Sequence, residues 1–351
     1  MRCSVVILNW NGEQTLRQFL PSVLQHTQLS DVEIVVADNG STDGSLSYLR
    51  TQPIRIITLD KNYGFAEGYN RALAQVEAQY TVLLNSDVEV TPHWLDTMLD
   101  YMDAHPETVA AQPKVLAWHS KQQYDNGEIP AIRFEHAGAA GGMMDVLGYP
   151  YCRGRFMTYV EEDHGQYDQP APIFWATGAC LLVRTQTYKD LGGLDANFFA
   201  HQEEIDLCWR IWNASKWNRE SEIGCIMSLP QAVIYHVGGG TLGYENPRKT
   251  FLNFRNNLLM LKKNLPASRL WWVMLIRFFM DYAAALQMLL TKQIPNAKAV
   301  LQARREYHVM KQHYTKLPNP TPHYTLNKSA ALPLLAHRSI VFDFYICKKK
   351  K

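Results

Sequence analysis

The sequence predicts an α/β fold in which a mostly parallel sheet is flanked by helices. Short runs of Val, Ile and Leu alternate with amphipathic helical segments through the first 120 residues, a pattern typical of parallel strands joined by right-handed crossovers. Residues 80–84 form a mostly apolar run that ends in polar and acidic residues. Such a run is expected of a strand covered on both faces.

The predicted elements follow one another at short intervals. Strands are expected at residues 4–8, 33–37, 54–59, 80–84 and 109–111. Helices are expected at residues 16–25 and 92–104, with a short one starting near residue 45 and another leading from the segment 62–70 through residue 76. The carboxyl ends of parallel strands meet at one edge of a sheet, and ligands bind there. We therefore expect the polar residues that follow these strands to form one site.

The second part of the chain is less regular. Residues 121–169 are rich in Gly, Tyr and His, and their aromatic content favours a functional loop over disorder. Residues 173–183 are interpreted as a long apolar strand interrupted at Gly178, where a bulge or a close ligand is expected. A helix is predicted after residue 202.

Charge is divided unevenly along the chain. The net charge is +2, but residues 247–351 contain 19 Lys and Arg against 3 Asp and Glu. A basic segment behind an acidic body favours an anionic surface as partner, and no nucleic-acid module accompanies it. The six scattered cysteines and the absence of a signal segment lead us to expect a cytoplasmic protein.

Asn85 and Asp87 follow the strand at residues 80–84. Two residues apart, they could present oxygen donors to a divalent cation, which also binds substrate phosphate oxygens. The alternative is a turn in which Asp87 caps the helix signalled by Thr91 and Pro92. This segment alone favours neither reading.

Three other residues stand where predicted strands end. Asp38 could accept a hydrogen bond from a nucleotide base on which Trp10 stacks. The alternative is a plain turn for Asp38 and simple packing for Trp10. Gly64 opens a helix whose amides could face phosphate. Without a G-x-G-x-x-G motif it does not support a dinucleotide-binding fold.

Two adjacent acids begin the helix that follows residue 202. Glu203 shares a stripe with Asp206 and Arg210, whereas Glu204 shares a face with apolar residues. An inward carboxylate is a candidate general base with a raised pKa. The helix macrodipole explains acids here equally well, but not their direction.

His236 is expected at a strand end, before a glycine run and the cations Arg248 and Lys249. That loop could fold over a diphosphate and exclude water. The alternative for His236 is simple packing.

Residues 270–290 are apolar and about as long as a membrane span, but Arg277 and Asp281 interrupt them. Charges at mid-span are costly, which favours an interfacial helix over a spanning one. A helix packed on the protein core is the alternative. The terminal run of residues 348–351 could contact anionic lipid.

In this order and spacing, the motifs resemble those of family 2 glycosyltransferases with the GT-A type fold. The resemblance is carried by V-V-I-L-N-W-N-G at residues 5–12, D-N-G-S-T-D-G at 38–44, N-Y-G-F at 62–65 with Asn70, L-N-S-D at 84–87, residues 199–207, and His236. It covers about residues 1–265 and is strongest for bacterial rhamnosyltransferase-like members that build surface polysaccharides. It implies a Rossmann-like, mostly parallel central sheet with flanking helices and a C-terminal helical segment.

The resemblance also implies a function and a set of site residues. The chain would move a sugar, with inversion, from a UDP- or dTDP-linked donor to a saccharide or lipid-linked saccharide, with Mg²⁺ or Mn²⁺ as cofactor. The implied nucleotide-sugar residues are Leu8, Asn9, Trp10, Asp38, Asn62, Gly64, Asn70, Asn85, Ser86, Arg248 and Lys249. The implied metal ligands are Asp87, Asn85 and His236, the catalytic acids Glu204 and Glu203, and the acceptor contacts Trp175 and Gly178.

Two departures from the family pattern are visible: Asn85 stands where the metal motif has Asp, and Glu204 stands where the family's E-D motif has Asp. The implied organisation is a nucleotide-sugar half at residues 1–120, an acceptor-binding and catalytic half at 121–246, and a basic segment at 247–351. We expect the protein to be peripheral on the inner face of the cell membrane. A sugar nucleotidyltransferase, which should have a glycine-rich phosphate loop after strand 1, and a non-catalytic nucleotide-sugar binder are the alternatives.

Overall fold

The structure, a computed structural model, describes residues 1–214, 225–238, 246–314, 327–345 and 347. The strands are β1 Cys3–Asn9, β2 Val32–Asn39, β3 Arg55–Leu59, β4 Tyr80–Asn85, β5 Val88–Val90, β6 Ala110–Ala117, β7 Gly142–Met144, β8 Pro150–Cys152, β9 Arg155–Phe156, β10 Tyr159–Val160, β11 Ala171–Pro172, β12 Cys180–Arg184 and β13 Ile226–His236. The α-helices are α1 Glu13–His26, α2 Ser45–Leu49, α3 Gly64–Leu73, α4 Trp94–Ala104, α5 Trp118–Asp125, α6 Thr185–Asp190, α7 Glu203–Ala214, α8 Pro247–Asn264, α9 Ala267–Leu290, α10 Ile294–Met310 and α11 Ile340–Tyr345.

One large sheet organises the site. Its strand order is β11-β13-β6-β12-β4-β1-β2-β3, with β5 beside β13. The predicted α/β fold with a largely parallel sheet is confirmed, since β1 to β4 pair in parallel. The second part of the chain adds antiparallel neighbours that strand–helix alternation did not predict: β12 lies between β4 and β6 and is antiparallel to both.

Three sequence expectations are corrected. Residues 121–169 are less irregular than expected, because α5 extends into them and β7 to β10 form a small antiparallel sheet. The strand expected at 173–183 is shorter and begins at Cys180. Asp87 does not cap a helix, because β5 follows it, and α4 begins only at Trp94 with His93 at its N-cap.

Apolar side chains fill both faces of the sheet, which explains the continuous apolar strands. Successive residues of a strand point to opposite faces, so Val5 and Val82 pack on one side, and Val6 and Leu83 on the other. All four are essentially inaccessible to solvent. The strand ends are thereby held rigidly at the edge where the site lies.

The C-terminal helices pack beside this domain. Helix α9 is long and apolar enough to cross a membrane by length and composition. Its most apolar 18-residue stretch has a mean hydropathy of 1.5, and 22% of that stretch is buried in the protein. The charges that interrupt its sequence, Arg277 and Asp281, both face inward. The lysine run at residues 348–351 lies outside the described residues.

Candidate active site

The ends of β1 and β2 form one side of the site. Asn9 and Asp38 are register partners, and the Asn9 amide donates to Asp38 Oδ1 at 3.1 Å. The other oxygen of Asp38 accepts the backbone N–H of Ser41 at 3.0 Å. Both side chains are buried, and the side-chain oxygen of Asn9 has no partner. Beside them Trp10 is 49% exposed, so its ring offers a face to a ligand.

The turn between β3 and α3 closes against this edge. Asn39 donates to the side chain of Asn62 at 3.2 Å and to the carbonyl of Gly64 at 3.0 Å. Gly64 has a φ of +80°, and a Cβ there would lie 2.5 Å from the Phe199 ring. Glycine is therefore required at this position for two reasons. Leu8 packs under the same helix.

Asn70 was predicted to contact the nucleotide, but its amide is engaged elsewhere. It donates to the carbonyl of Leu194 at 2.8 Å and accepts from the hydroxyl of Tyr188 at 2.7 Å and from the Leu194 amide at 2.9 Å. These bonds tie α3 to the segment after α6. In the structure Asn70 holds α3 against the segment after α6, and its contact with a nucleotide stays a prediction.

The predicted metal ligands converge. His236 Nε2 lies 3.2 Å from Asp87 Oδ1 and 3.3 Å from the Asn85 amide, because β13 brings His236 beside the end of β4. Ser86 lies between Asn85 and Asp87 and is half-buried. On the other side of the imidazole, Glu135 stands 3.7 Å from Nδ1.

These neighbours shift the pKa of His236 and Asp87 in opposite directions. Burial lowers the pKa of His236, but Asp87 and Glu135 outweigh it and raise it to about 10. For Asp87, burial is outweighed by the attraction of His236, so its pKa lies below the ordinary value. The pair is therefore an imidazolium–carboxylate contact when no cation is bound.

The donor set fits a hard divalent cation only with help from a ligand. Among the described residues, no group of three or more His, Cys, Asp and Glu could hold a metal ion by itself. Mg²⁺ commonly binds through one or two carboxylates, with substrate phosphates and water completing its shell. Asp87 and His236, with Asn85 beside them, suit a cation completed by a diphosphate.

Glu135 was missed by the sequence analysis. It is 3% exposed, it accepts the backbone N–H of Ala137, and it faces His236. It lies in the stretch interpreted as irregular, where no strand marked it as part of the site. An acid directly before the glycine-rich run at residues 136–142 is the only sequence signal that could have found it.

The two acids of α7 are both in low-dielectric surroundings. Burial raises the pKa of Glu204 to about 7, and burial together with the charge of Glu204 raises that of Glu203. One oxygen of each carboxyl is buried without a hydrogen-bond partner. Groups in this state favour their protonated form and accept a proton readily.

Exposure distinguishes the two acids better than the helical face does. Glu203 is 4% exposed, whereas Glu204 is half-buried. The stripe of Glu203, Asp206 and Arg210 proves to be buried as well, so the inward direction of Glu204 was not distinctive. Of the two acids, only Glu204 combines a raised pKa with partial exposure.

The predicted acceptor contacts differ in placement. Gly178 lies beside Glu204, since a Cβ on Gly178 would be 3.9 Å from that of Glu204. Ala179, the next residue, accepts the backbone N–H of Asn85 at 3.0 Å, which links this place to the metal ligands. Trp175 is 3% exposed and its indole donates to the carbonyl of Met143 at 2.8 Å. The structure therefore brings Gly178 to the site and leaves Trp175 in the core.

A strained turn precedes these acids. Phe199, His201 and Gln202 have φ values of 64°, 70° and 73°, a region that non-glycine residues rarely adopt. Helix α8 holds the turn: the Asn256 amide donates to the carbonyls of Phe198, Ala200 and His201 at 2.8–3.0 Å. Arg255 adds bonds to the carbonyls of Asn197 and Phe198.

Replacing Asn256 with Ala should lower the free energy of unfolding by about 1–3 kcal/mol, because buried carbonyls of the strained turn lose their donor. The measurement is chemical denaturation of the variant beside Lys262→Ala, a half-exposed position on the same helix. Equal stability of the two variants would contradict the clamping role of Asn256.

The first turn of α8 carries the two predicted phosphate-binding cations. Asn246 caps this helix by accepting the backbone N–H of Arg248 at 2.9 Å. The Arg248 guanidinium lies over the Phe199 ring at 4.8 Å. Burial lowers the pKa of Lys249, against an opposing attraction from Glu135. The loop expected to close over a diphosphate, residues 239–245, lies outside the described residues.

Comparison with known proteins agrees with this geometry. Residues 4–158 match the family model described as glycosyl transferase family 2. Over 296 residues the chain is 25% identical to the N-acetylglucosaminyl-diphospho-decaprenol L-rhamnosyltransferase of Mycobacterium tuberculosis (strain CDC 1551 / Oshkosh), covering 81% of this chain and 90% of the relative.

Two solved structures that resemble it have the GT-A fold. GalNAc-T7 with UDP, GalNAc and Mn²⁺ has a TM-score of 0.56 at 15% identity, over 91% of this chain and 58% of that one. S. aureus TarS 1-349 with UDP-GlcNAc has a TM-score of 0.54 at 15% identity, over 91% and 82%. Residues 4–158 therefore resemble family 2 glycosyltransferases, and the chain has the GT-A fold, as its motifs predicted.

Proposed function

We propose that this protein is an inverting, metal-dependent glycosyltransferase acting on a nucleoside-diphosphate sugar. The observation that carries the proposal is the proximity of two groups with different tasks. Glu204, with a pKa of about 7, borders Gly178, and the next residue is bonded to Asn85 beside Asp87 and His236. The proposed proton acceptor is thus linked, through residues 178 and 179, to the strand end proposed to bind the cation and the diphosphate.

Donor binding is assigned to the strand ends and to α8. Trp10 stacks on the base, and Asp38, oriented by Asn9, accepts the imide N–H of a uracil or thymine ring. Asp87 and His236, with Asn85 beside them, would hold the cation, which would supply positive charge to neutralise the leaving diphosphate. Arg248 and Lys249 pair with phosphate oxygens as the sugar departs.

Glu204 acts on the acceptor. Its carboxylate takes the proton of an acceptor hydroxyl, and that oxygen forms a bond to the anomeric carbon as the bond from this carbon to the diphosphate oxygen breaks. Attack from the face opposite the diphosphate inverts the anomeric carbon. A base with a pKa near 7 is well suited to this task at neutral pH.

The acceptor is proposed to be a saccharide or lipid-linked saccharide in bacterial surface polysaccharide synthesis. Support comes from the mycobacterial relative, whose name gives N-acetylglucosaminyl-diphospho-decaprenol as the acceptor. A UDP- or dTDP-linked sugar is the proposed donor. A lipid-linked acceptor would be presented at a membrane, and the basic C-terminal segment suits the anionic inner face of the cell membrane.

The test is a thermal-shift panel of nucleoside diphosphates with and without Mn²⁺ or Mg²⁺. A ligand at 100 times its dissociation constant should stabilise the protein by about 2.7 kcal/mol. We expect a metal-dependent shift with UDP or dTDP that Asp87→Ala abolishes and that Asp96→Ala, a partly exposed acid on α4, retains. No shift with any nucleotide overturns the proposal. Binding without transfer to any acceptor or to water would favour a non-catalytic nucleotide-sugar binder.

A further inference from the structure

Helix α9 exposes an apolar stripe from Trp271 to its last residue, Leu290. The stripe has a helical spacing of three and four residues and consists of Trp271, Leu275, Phe278, Phe279, Tyr282, Leu286, Leu289 and Leu290. Trp271, Phe279 and Leu290 are exposed by 66%, 65% and 77%. At 1.5 Å per residue, the stripe is about 28 Å long. No exposed residue in this stretch of α9 is charged.

The opposite side of α9 is the polar one. Arg277 and Asp281 are 2% and 0% exposed, and they lie 3.4 Å apart. Arg304 of α10 reaches Asp281 at 2.6 Å. A surface helix in water places its charges outward and its apolar stripe on the core. Helix α9 does the reverse, which indicates an apolar neighbour on its outer side.

The exposed surface is concentrated in one place. Of the 18 exposed large apolar side chains among the described residues, 11 lie between residues 271 and 301. They include Ile294 and Leu301 on α10, which packs against α9. Soluble monomers rarely expose a contiguous apolar surface larger than a few hundred Å². Single exposed apolar residues need no explanation, but this cluster does.

The positive charges near the stripe indicate the chemistry of the neighbour. The exposed cations Lys292, Lys298 and Arg305 follow the stripe on the turn and on α10. Of the three described acids from residue 247 onward, Asp281 and Asp343 are buried. The third, Glu306, is 39% exposed but pairs with Arg255 at 3.3 Å. An apolar stripe with aromatic residues and adjacent cations suits the headgroup–acyl boundary of an anionic bilayer.

We propose that the outer stripe of α9 docks in the plane of an anionic lipid bilayer, without crossing it. Crossing is opposed by the inner side, because Arg277 also donates to the carbonyl of Leu147 at 3.2 Å and stacks on Tyr149 at 4.0 Å. A spanning helix would have to break these contacts and expose both charges to hydrocarbon. The inference rests on the proposed function only for its purpose, which is to hold the enzyme beside a lipid-linked acceptor.

The test is flotation of the full-length protein with vesicles of phosphatidylcholine alone and of phosphatidylcholine with phosphatidylglycerol. We expect partition into the anionic vesicles at least tenfold above that into the neutral ones. The double variant Phe279→Glu with Leu286→Glu should lose at least tenfold of this partition. Tyr124→Glu, at a position 47% exposed on α5, should retain it. Because all three side chains face solvent, thermal unfolding serves to confirm that each variant is folded.

Two outcomes overturn the inference. One is equal flotation of wild type and double variant. The other is that the wild type forms a dimer without lipid whereas the double variant is a monomer, since the stripe would then be covered by a second copy. Failure here is distinct from failure of the proposed function, because the nucleotide-dependent thermal shift is measured without lipid. A thermal shift without flotation would contradict only the proposed membrane docking. Flotation without a thermal shift would contradict only the proposed transferase function.

Discussion

Replacing Glu204 with Gln should lower kcat by about 10²–10⁴-fold while leaving nucleotide-dependent stabilisation unchanged. The amide cannot accept the proton of the acceptor hydroxyl, and general-base catalysis contributes a factor of this size. Steady-state kinetics with separate determination of kcat and KM for the donor is the measurement. The matched variant is Glu203→Gln, whose side chain is more buried and should retain most of the turnover.

The pH dependence of the two variants provides a second readout. Turnover of the wild type should rise with pH through about 7 as Glu204 ionises, and Glu203→Gln should keep this acid limb. Stability should change in the opposite direction. Because the folded state raises the pKa of Glu204 above its ordinary 4.5, its contribution is fully present below pH 4.5 and is lost as the pH rises through about 7. Near-normal turnover of Glu204→Gln would exclude it as the base.

Removing the carboxylate of Asp206 should be the most destabilising of the changes proposed for α7. Asp206 is 0% exposed and accepts hydrogen bonds from Arg210 at 2.9 Å, Lys263 at 2.8 Å and Asn264 at 2.7 Å. Asp206→Ala leaves two buried cations without this partner, and breaking a buried pair costs about 3–5 kcal/mol. Denaturant unfolding should show the loss directly.

Asp100→Ala is the matched control, because this carboxylate pairs with Arg2 at 2.7 Å but is 73% exposed. Exposed pairs contribute about 0–1 kcal/mol, so the control should unfold almost as wild type. A similar loss in both variants would contradict a special role for the buried network. It would also weaken the argument that α8 fixes the position of the acids on α7.

Local pattern carried much of the fold prediction. The strands β1 to β4 and the helices between them depend on short-range periodicity, and they lie where the sequence indicates. The family motifs likewise predicted that Asn85, Asp87 and His236 come together, although Asp87 and His236 are 149 positions apart in the sequence. The periodicity of a strand or helix and the residues of a motif can both be recognised locally, without knowing which residues the fold brings near them.

What the sequence did not predict depends on long-range partners. The apolar run at β12 carries no mark of its antiparallel pairing with β4 and β6. Asn256 reads as an ordinary polar residue of a helix until the carbonyls of the turn after Phe198 are seen around it. Arg277 and Asp281 read as interruptions of an apolar helix, because Arg304, which pairs with Asp281, is brought to them only by the fold.

The position of β12 has a consequence for synthesis of the chain. The matched family segment ends at residue 158, whereas the strand that joins β4 to β6 is Cys180–Arg184, and β13 follows after residue 225. While the ribosome has made only the first 158 residues, β4 and β6 are unjoined edges with open backbone groups. Closing the sheet then depends on contacts between residues far apart in the sequence, which form slowly and leave edges prone to aggregation. The nascent chain thus passes through a stage in which the sheet is incomplete and its open edges are exposed.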